Sequence, residues 1–357
     1  MKILIAYLKK ETVLCIAVLL AAFSMLLIHP DSTYSGYMDY RTLALLFSLM
    51  TIMEGFKQTG FFADVARALL GRVHTFRQLY LVLVMLCFFC SMWITNDVAL
   101  LTFVPFTILV LELSGLQKEM ISVIVMQTIA ANLGSMMTPV GNPQNLYLYS
   151  VSGMGIGEFF SVMGPLSALS FLLILGACIF HKNFALDPEL LKHMEPSGEA
   201  AGKSSKTAEA ASGNAVPERL RNLQNLLLAT LFLFSLLSVF RVISWPVLVV
   251  VVLTGCLLLA GVFHSSFLPK KVDYSLLLTF IAFFVFIGNM GRVPAFCRFL
   301  GRILEGREII TCVGASQVIS NVPAALLLSG FSGDYSALIV GTNLAVLLVL
   351  ALWVIPF

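Results

Sequence analysis

Two apolar runs, at 79–112 and 308–331, each carry a hydroxyl–asparagine pair near the middle, where a lipid-buried chain should hold only apolar side chains. The first is centred on Met92-Trp93-Ile94-Thr95-Asn96-Asp97-Val98-Ala99 and the second on Gln317-Val318-Ile319-Ser320-Asn321-Val322-Pro323-Ala324. Polar groups at membrane depth are costly, so their default reading is an ion or substrate pathway. One such cluster in each half of the chain points further, to a transporter built from an inverted repeat.

The bilayer has to be the solvent for most of this sequence. Hydrophobic residues make up 59% of the 357 and charged residues 11%, whereas a soluble domain averages about 25% charged. The formal charge of +3 is too small to suggest nucleic acid. Cys15, Cys87, Cys90, Cys178, Cys256, Cys297 and Cys312 lie in or beside apolar segments, which implies no disulfide framework. Cys87 and Cys90 form a CxxC, a spacing also used for redox or metal chemistry, but with no second pair and in an apolar helix they are expected to pack. Lys2, Lys9 and Lys10 precede the apolar run 13–28, and His29-Pro30-Asp31 follows in place of a small-residue cleavage site. A retained first span is expected.

A helix needs about 20 apolar residues to cross a bilayer. Runs meeting or nearing that length fall at 12–29, 41–56, 119–136 (continuing to about 150), 157–180, 222–241, 244–264, 273–290 and 334–357. The clusters divide the other two runs into short halves, 78–94 with 98–112 and 308–319 with 323–331. Short halves meeting at a polar tip suggest re-entrant hairpins, with a broken spanning helix as the alternative. The expected class is an all-α polytopic membrane protein, an inverted-topology repeat with two re-entrant hairpins and broken helices. The 182–221 stretch is rich in Ala, Ser, Gly, Lys and Glu and cannot bury a core. It is expected to be a flexible cytoplasmic linker between an N-terminal repeat, 1–181, and a C-terminal repeat, 222–357.

The halves match in order. Asp39-Tyr40 opens an apolar run, an amphipathic stretch follows at 61–73, and then comes Thr95-Asn96-Asp97. Asp273-Tyr274, the stretch 293–304 and Ser320-Asn321-Val322 repeat the series. Lys and Arg favour cytoplasmic loops. The N-terminal lysines, Lys57, Arg67, Arg72, Arg77, the linker and Lys270-Lys271 can all be cytoplasmic, which sets the N-terminus inside and sends the Asp39 and Asp273 helices in opposite directions. Arg292, Arg298, Arg302 and Arg307 then fall outside, with their amphipathic stretch lying flat at the far interface.

At a hairpin tip, helix N-termini attract anions and C-terminal carbonyls coordinate cations. Asn supplies donor and acceptor, and a hydroxyl adds an oxygen. Thr95-Asn96 and Ser320-Asn321 are therefore suited to a small ion or a carboxylate oxygen, against the alternative that both asparagines merely cap broken helices. A third cluster, 132–145, puts Pro139 and Pro143 inside an apolar span and so breaks it. Gly134 and Gly141 permit close backbone approach, and the freed carbonyls, Asn142 and Asn145 need an ion, a ligand or a hairpin tip to satisfy them. The alternative is an ordinary extramembrane loop. Asp97 is the only carboxylate deep in an expected hairpin, so it should bind a cation, pair with a base or take up a proton, unless it only caps the following helix. Glu54 and Glu112, near helix ends, are read as interfacial.

The set Thr95-Asn96-Asp97, Gly134-Ser135, Thr138-Pro139-Val140-Gly141-Asn142-Pro143-Gln144-Asn145 and Ser320-Asn321-Val322-Pro323-Ala324 resembles the citrate-transporter-like ion transporter superfamily. That group includes arsenite permeases, sodium–proton antiporters, citrate carriers and divalent anion–sodium symporters, and the strings look most like its uncharacterised bacterial inner-membrane anion permeases. The resemblance implies hairpin tips facing broken helices around sodium and substrate. Thr95 and Asn96 would face the break at 134–145, and Ser320 and Asn321 would face Gly341-Thr342-Asn343. Asp97 and Val322-Pro323 replace the third hydroxyl of the dicarboxylate-carrier tips, and the tail after Asn343 lacks a second Gly/Pro/Thr break, so the second repeat is expected to be truncated.

The leading expectation is a secondary transporter of a small inorganic or carboxylate anion, coupled to sodium or protons and working by alternating access. No other metal and no cofactor is expected; the partners are the anion and the lipid bilayer, with a homodimer allowed. A cation–proton antiporter of the same fold and a non-transporting truncated remnant are the alternatives. His29, His74, His181, His193 and His264 lie near segment ends or in the linker, and neither HExxH nor GxSxG occurs, so a hydrolase lacks its parts.

Overall fold

The computed structural model describes residues 11–70, 73–185, 218–263 and 268–354. Lys2, Lys9, Lys10, Arg72, His193, His264, the 186–217 part of the linker and 355–357 lie outside the described residues.

In lipid no water satisfies main-chain N–H and C=O groups, so each apolar run must close its own hydrogen-bond ladder. The runs accordingly become α1 (Thr12–Leu27), α2 (Tyr40–Thr59), α3 (Phe61–Leu70), α4 (Phe76–Ile94), α5 (Asn96–Leu113), α6 (Met120–Ser135), α7 (Pro143–Ser152) and α8 (Ile156–Ile179). After the linker come α9 (Glu218–Val239), α10 (Trp245–Val262), α11 (Tyr274–Met290), α12 (Pro294–Leu304), α13 (Glu308–Ile319), α14 (Asn321–Ser329) and α15 (Tyr335–Val354). Among the described residues four helices, Phe76–Ile94, Ile156–Ile179, Arg219–Val239 and Trp245–Val262, are long and apolar enough to cross a membrane unaided. The chain is an all-α, multi-pass membrane protein.

Both Asp-Tyr pairs open helices as caps. The Asp39 carboxylate accepts from the Thr42 amide at 3.1 Å and the Asp273 carboxylate from the Leu276 amide at 3.2 Å, each satisfying an amide that the first turn leaves orphaned. Contacts fix the directions of these two helices. Near one end the C-terminal part of α2 (Glu54, Lys57) shares a cavity with Lys271, Asp273 and Leu276 at the start of α11. At the other end Asp31, just before α2, meets Arg292, just after α11, at 2.8 Å. The two helices therefore run in opposite directions.

The first residues of the 182–221 stretch lie against the start of α4. Phe184 stacks on Phe76 with ring centroids 4.8 Å apart, its carbonyl accepts from the Phe76 amide at 3.0 Å, and Ala185 bridges to Thr75. The halves also interleave, since α1 packs along α11 and α9 along α2.

Two glycines let helices approach within backbone contact. A Cβ on Gly134 would lie 2.0 Å from the Phe88 carbonyl oxygen, in the α6–α4 contact. A Cβ on Gly341 would lie 2.5 Å from the Cys312 Cβ and 2.8 Å from the Ile309 carbonyl, in the α15–α13 contact. In each half, then, a glycine presses the helix against the first arm of a helical hairpin. Cys87 is buried and Cys90 partly so, both as free thiols, as a packing role requires.

Candidate functional site

The two polar tips have nearly the same backbone. Thr95 alone links α4 to α5, with φ 70° and ψ 150°, and Ser320 alone links α13 to α14, with φ 75° and ψ 162°. Side-chain-bearing residues avoid this region, at a cost of about 1–3 kcal/mol each. Asn96-Asp97 and Asn321-Val322-Pro323 lie inside the first turns of α5 and α14 rather than between helices. Pro323 fits because a first-turn residue needs no amide donor. The arms differ in length: α4 and α5 have 19 and 18 residues, α13 and α14 have 12 and 9. At 1.5 Å per residue the first pair runs about 28 and 27 Å, the second only about 18 and 14 Å, against a hydrocarbon core of about 30 Å.

The first tip is docked on the helix break between α6 and α7. The Asn96 amide donates to the Gly141 carbonyl at 3.1 Å, and the Asn96 side-chain amide donates to Asn132 Oδ1 at 3.0 Å. The Thr138 hydroxyl donates to the Met92 carbonyl and accepts from the Gly141 amide. Asn142 caps α7, its Oδ1 accepting from the Asn145 amide at 2.9 Å, with Pro143 at the first helical position where its missing donor costs nothing. The break is thus a built turn, with Ser135, Thr138, Asn142 and Asn145 all buried.

A second set of bonds ties the break to the other half. Asn142 Nδ2 donates to Ser135 Oγ and to Asn343 Oδ1, both at 3.2 Å. Asn343 Nδ2 donates to Asn145 Oδ1 at 2.7 Å. Thr342 turns its hydroxyl back to the Leu338 carbonyl at 2.8 Å. Asn142, Asn145 and Asn343 consume most of their polar capacity on each other, which fits them to hold the break in shape.

What stays open lies elsewhere. Thr95 and Asp97, with Val140, Asn142 and Pro143, line a cavity of about 220 Å³ that Glu54, Lys57, Lys271 and Asp273 also line. The side chains of Thr95, Asp97, Ser320 and Asn321 make no hydrogen bond within the described residues, and the side-chain oxygen of Asn96, Oδ1, is buried without a partner. Ser320 and Asn321 are not among the residues lining this cavity. Of the expected site residues, the structure brings Thr95, Asp97 and Asn142 to open volume. Asn96, Gly134, Ser135, Thr138, Pro139, Gly141, Asn145, Thr342 and Asn343 lie around the break or its contacts, and Ser320 with Asn321 form a separate tip.

Five participants escaped the reading of the sequence. Glu54, taken as interfacial, lines the cavity, as do Lys57, Lys271 and Asp273. Asn132 is the direct partner of Asn96. A signal for it existed, since Asn132-Leu133 and Asn343-Leu344 recur beside the two close-packed glycines, Gly134 and Gly341. The four cavity residues carried no such mark, because end-of-helix charges are commonplace until a tertiary contact turns them towards a common space.

A polytopic bundle with unpaired polar groups at two helix elbows and a charged cavity beside one of them is the framework of a membrane transporter, not of an enzyme. Residues 3–354 match the citrate transporter family, and the chain belongs to it. It is 30% identical to the inner membrane protein YbiR of Escherichia coli (strain K12), over 84% of this chain and 73% of that protein. It is 27% identical to the uncharacterized transporter MJ0456 of Methanocaldococcus jannaschii, over 86% and 76%. A 46 kDa membrane protein of Mycobacterium leprae is 24% identical, over 80% and 65%.

Proposed function

We propose that this chain is a secondary active transporter that carries a small carboxylate or inorganic anion across the inner membrane by alternating access, driven by sodium or protons. The observation that carries this reading is the chemistry of the 220 Å³ cavity. Two helix N-termini, those of α5 at Thr95 and of α7 at Asn142, border it together with Lys57 and Lys271. Helix N-termini and lysines favour an anion. Glu54, Asp97 and Asp273 on the same walls supply carboxylates for a coupling cation. The description of the matched family, citrate transporter, favours a carboxylate.

The inverted repeat, re-entrant tips and cytoplasmic N-terminus belong to the same proposal. They are supported by the opposed Asp39 and Asp273 helices, by the paired φ values at Thr95 and Ser320, and by Lys57, Arg77, Lys182 and Lys271 gathering at the cavity's end of the bundle. With that end cytoplasmic, the cavity opens inward. Cargo and coupling ion share one cavity, so no cofactor is required. A second reading, a cation–proton antiporter, draws on the excess of carboxylates over lysines in the cavity.

Proteoliposomes holding the full chain, given citrate or oxyanions under imposed sodium or proton gradients, test both. Saturable, gradient-driven anion uptake that Asp97→Asn uncouples is expected. Cation–proton exchange without anion flux would favour the antiporter, and non-saturating flux indifferent to gradients would make the protein a channel.

A further inference from the structure

We infer that α12 and the start of α13 form a binding site for the phosphate headgroup of an anionic phospholipid, separate from the transport cavity. Helix α12 bends 104° away from α11 and is strongly amphipathic in an unusual way. One face, Phe296, Leu300 and Leu304, packs inward, with Phe296 edge-on to Phe331 at 5.3 Å. The opposite face, at helical spacing, bears Arg298, Phe299, Arg302 and Ile303. Arg307 and Ile310 complete an open groove of about 690 Å³ beside it. Three guanidinium groups thus share one groove with three exposed apolar side chains, Phe299 (60% exposed), Ile303 and Ile310 (76%).

The cations have no acidic partner. None of Arg298, Arg302 and Arg307 makes an ion pair or side-chain hydrogen bond among the described residues. The corresponding amphipathic helix of the first half, α3, is instead charge-paired, Asp64 lying 3.5 Å from Arg221. Guanidinium forks match phosphate oxygens in pairs. Exposed apolar side chains between them suit acyl chains, which a free phosphate lacks. A short helix lying across the bundle end, with Arg and large apolar residues together, has the composition of an interfacial lipid contact. This also accounts for the four arginines at the end away from Lys57 and Lys271: Arg292 is bonded to Asp31, and the other three face lipid phosphate.

The test uses the purified full chain in nanodiscs of phosphatidylcholine with and without phosphatidylglycerol, scored by thermal unfolding and by lipid retained per protein in native mass spectrometry. Wild type should unfold at higher temperature with phosphatidylglycerol and retain it over phosphatidylcholine. Each single change, Arg298→Gln, Arg302→Gln or Arg307→Gln, should lower that retention about fivefold, and the triple change should abolish the preference. Arg221→Gln, at the opposite end, should leave it intact. The proposal falls if wild type shows no preference, a result that needs no variant to fold. It also falls if the triple variant retains as much phosphatidylglycerol as wild type, if Arg221→Gln loses as much, or if inorganic phosphate added to phosphatidylcholine discs reproduces the stabilisation.

Discussion

Thr95 and Ser320 hold main-chain angles that only glycine adopts freely. Strain of that kind persists where the surroundings over-determine it, and at both tips it keeps a hydroxyl at the elbow. Replacing either residue by glycine removes the strain, so Thr95→Gly and Ser320→Gly should each raise thermal stability by about 1–3 kcal/mol. The same changes should depress transport, measured as initial uptake in proteoliposomes. The asparagines behave in the opposite way. Asn343→Ala leaves Asn142 and Asn145 with buried, unanswered groups and should cost about 1–3 kcal/mol in a denaturation series. Which side chains were polar, and that they clustered, was legible in the sequence. Which asparagines are spent on each other was not, because Asn142 and Asn343 are brought together across 201 residues of chain.

At the level of helices, hydrophobic run length located the long helices among the described residues to within a few residues, since lipid forces each run to satisfy its own backbone. Hairpin arms were less legible. Asn96 and Asn321 looked like linkers between helices, whereas each begins one, because a first-turn residue is free to be polar when its amide has no helical partner. Close helix approach also came only from the structure: a lone glycine in a membrane helix has many uses, and only the 2.0 Å and 2.5 Å overlaps identify Gly134 and Gly341 as contact points. Gly134→Ala should therefore cost about 1–3 kcal/mol and reduce the yield of folded protein in size-exclusion profiles. Alanine at Gly164, where an added Cβ meets nothing within 4 Å, should be tolerated.

Across the whole molecule, the two ends of the bundle differ in charge and in pH response. In a cysteine-free background, Cys placed at Thr95 or Leu276 should react with a membrane-impermeant thiol reagent applied from the cytoplasmic face and not from the other, if the cavity opens inward. His181, just beyond α8, stacks on Tyr80 at 4.1 Å and holds its carbonyl to Arg77. Burial, opposed by Glu119, keeps its imidazole below its ordinary range. Its neutral form is the one the fold favours, so stability is full above about pH 6.5 and declines as pH falls through that value. Unfolding temperature should drop between neutral and mildly acidic pH, and His181→Phe should flatten that part of the curve. At the far end, hydrogen bonds from Thr33 and Arg292 hold the Asp31 carboxyl below the usual carboxylate range, so this latch survives the same change in pH.

The order of apolar runs determined by itself that the chain is a bundle of membrane helices with two polar elbows, because the demand that every buried amide find a partner acts locally and is written in consecutive residues. Tertiary structure decided which polar groups remain open to a solute. Glu54 and Asp273 share a cavity with Asp97 only after α2 and α11 are packed in opposite directions, and the Asn145 side-chain oxygen is occupied by Asn343 from the far end of the chain. Hydrogen-bond partners and cavity walls are assembled from residues far apart in the chain, and no local rule of composition or spacing pairs them.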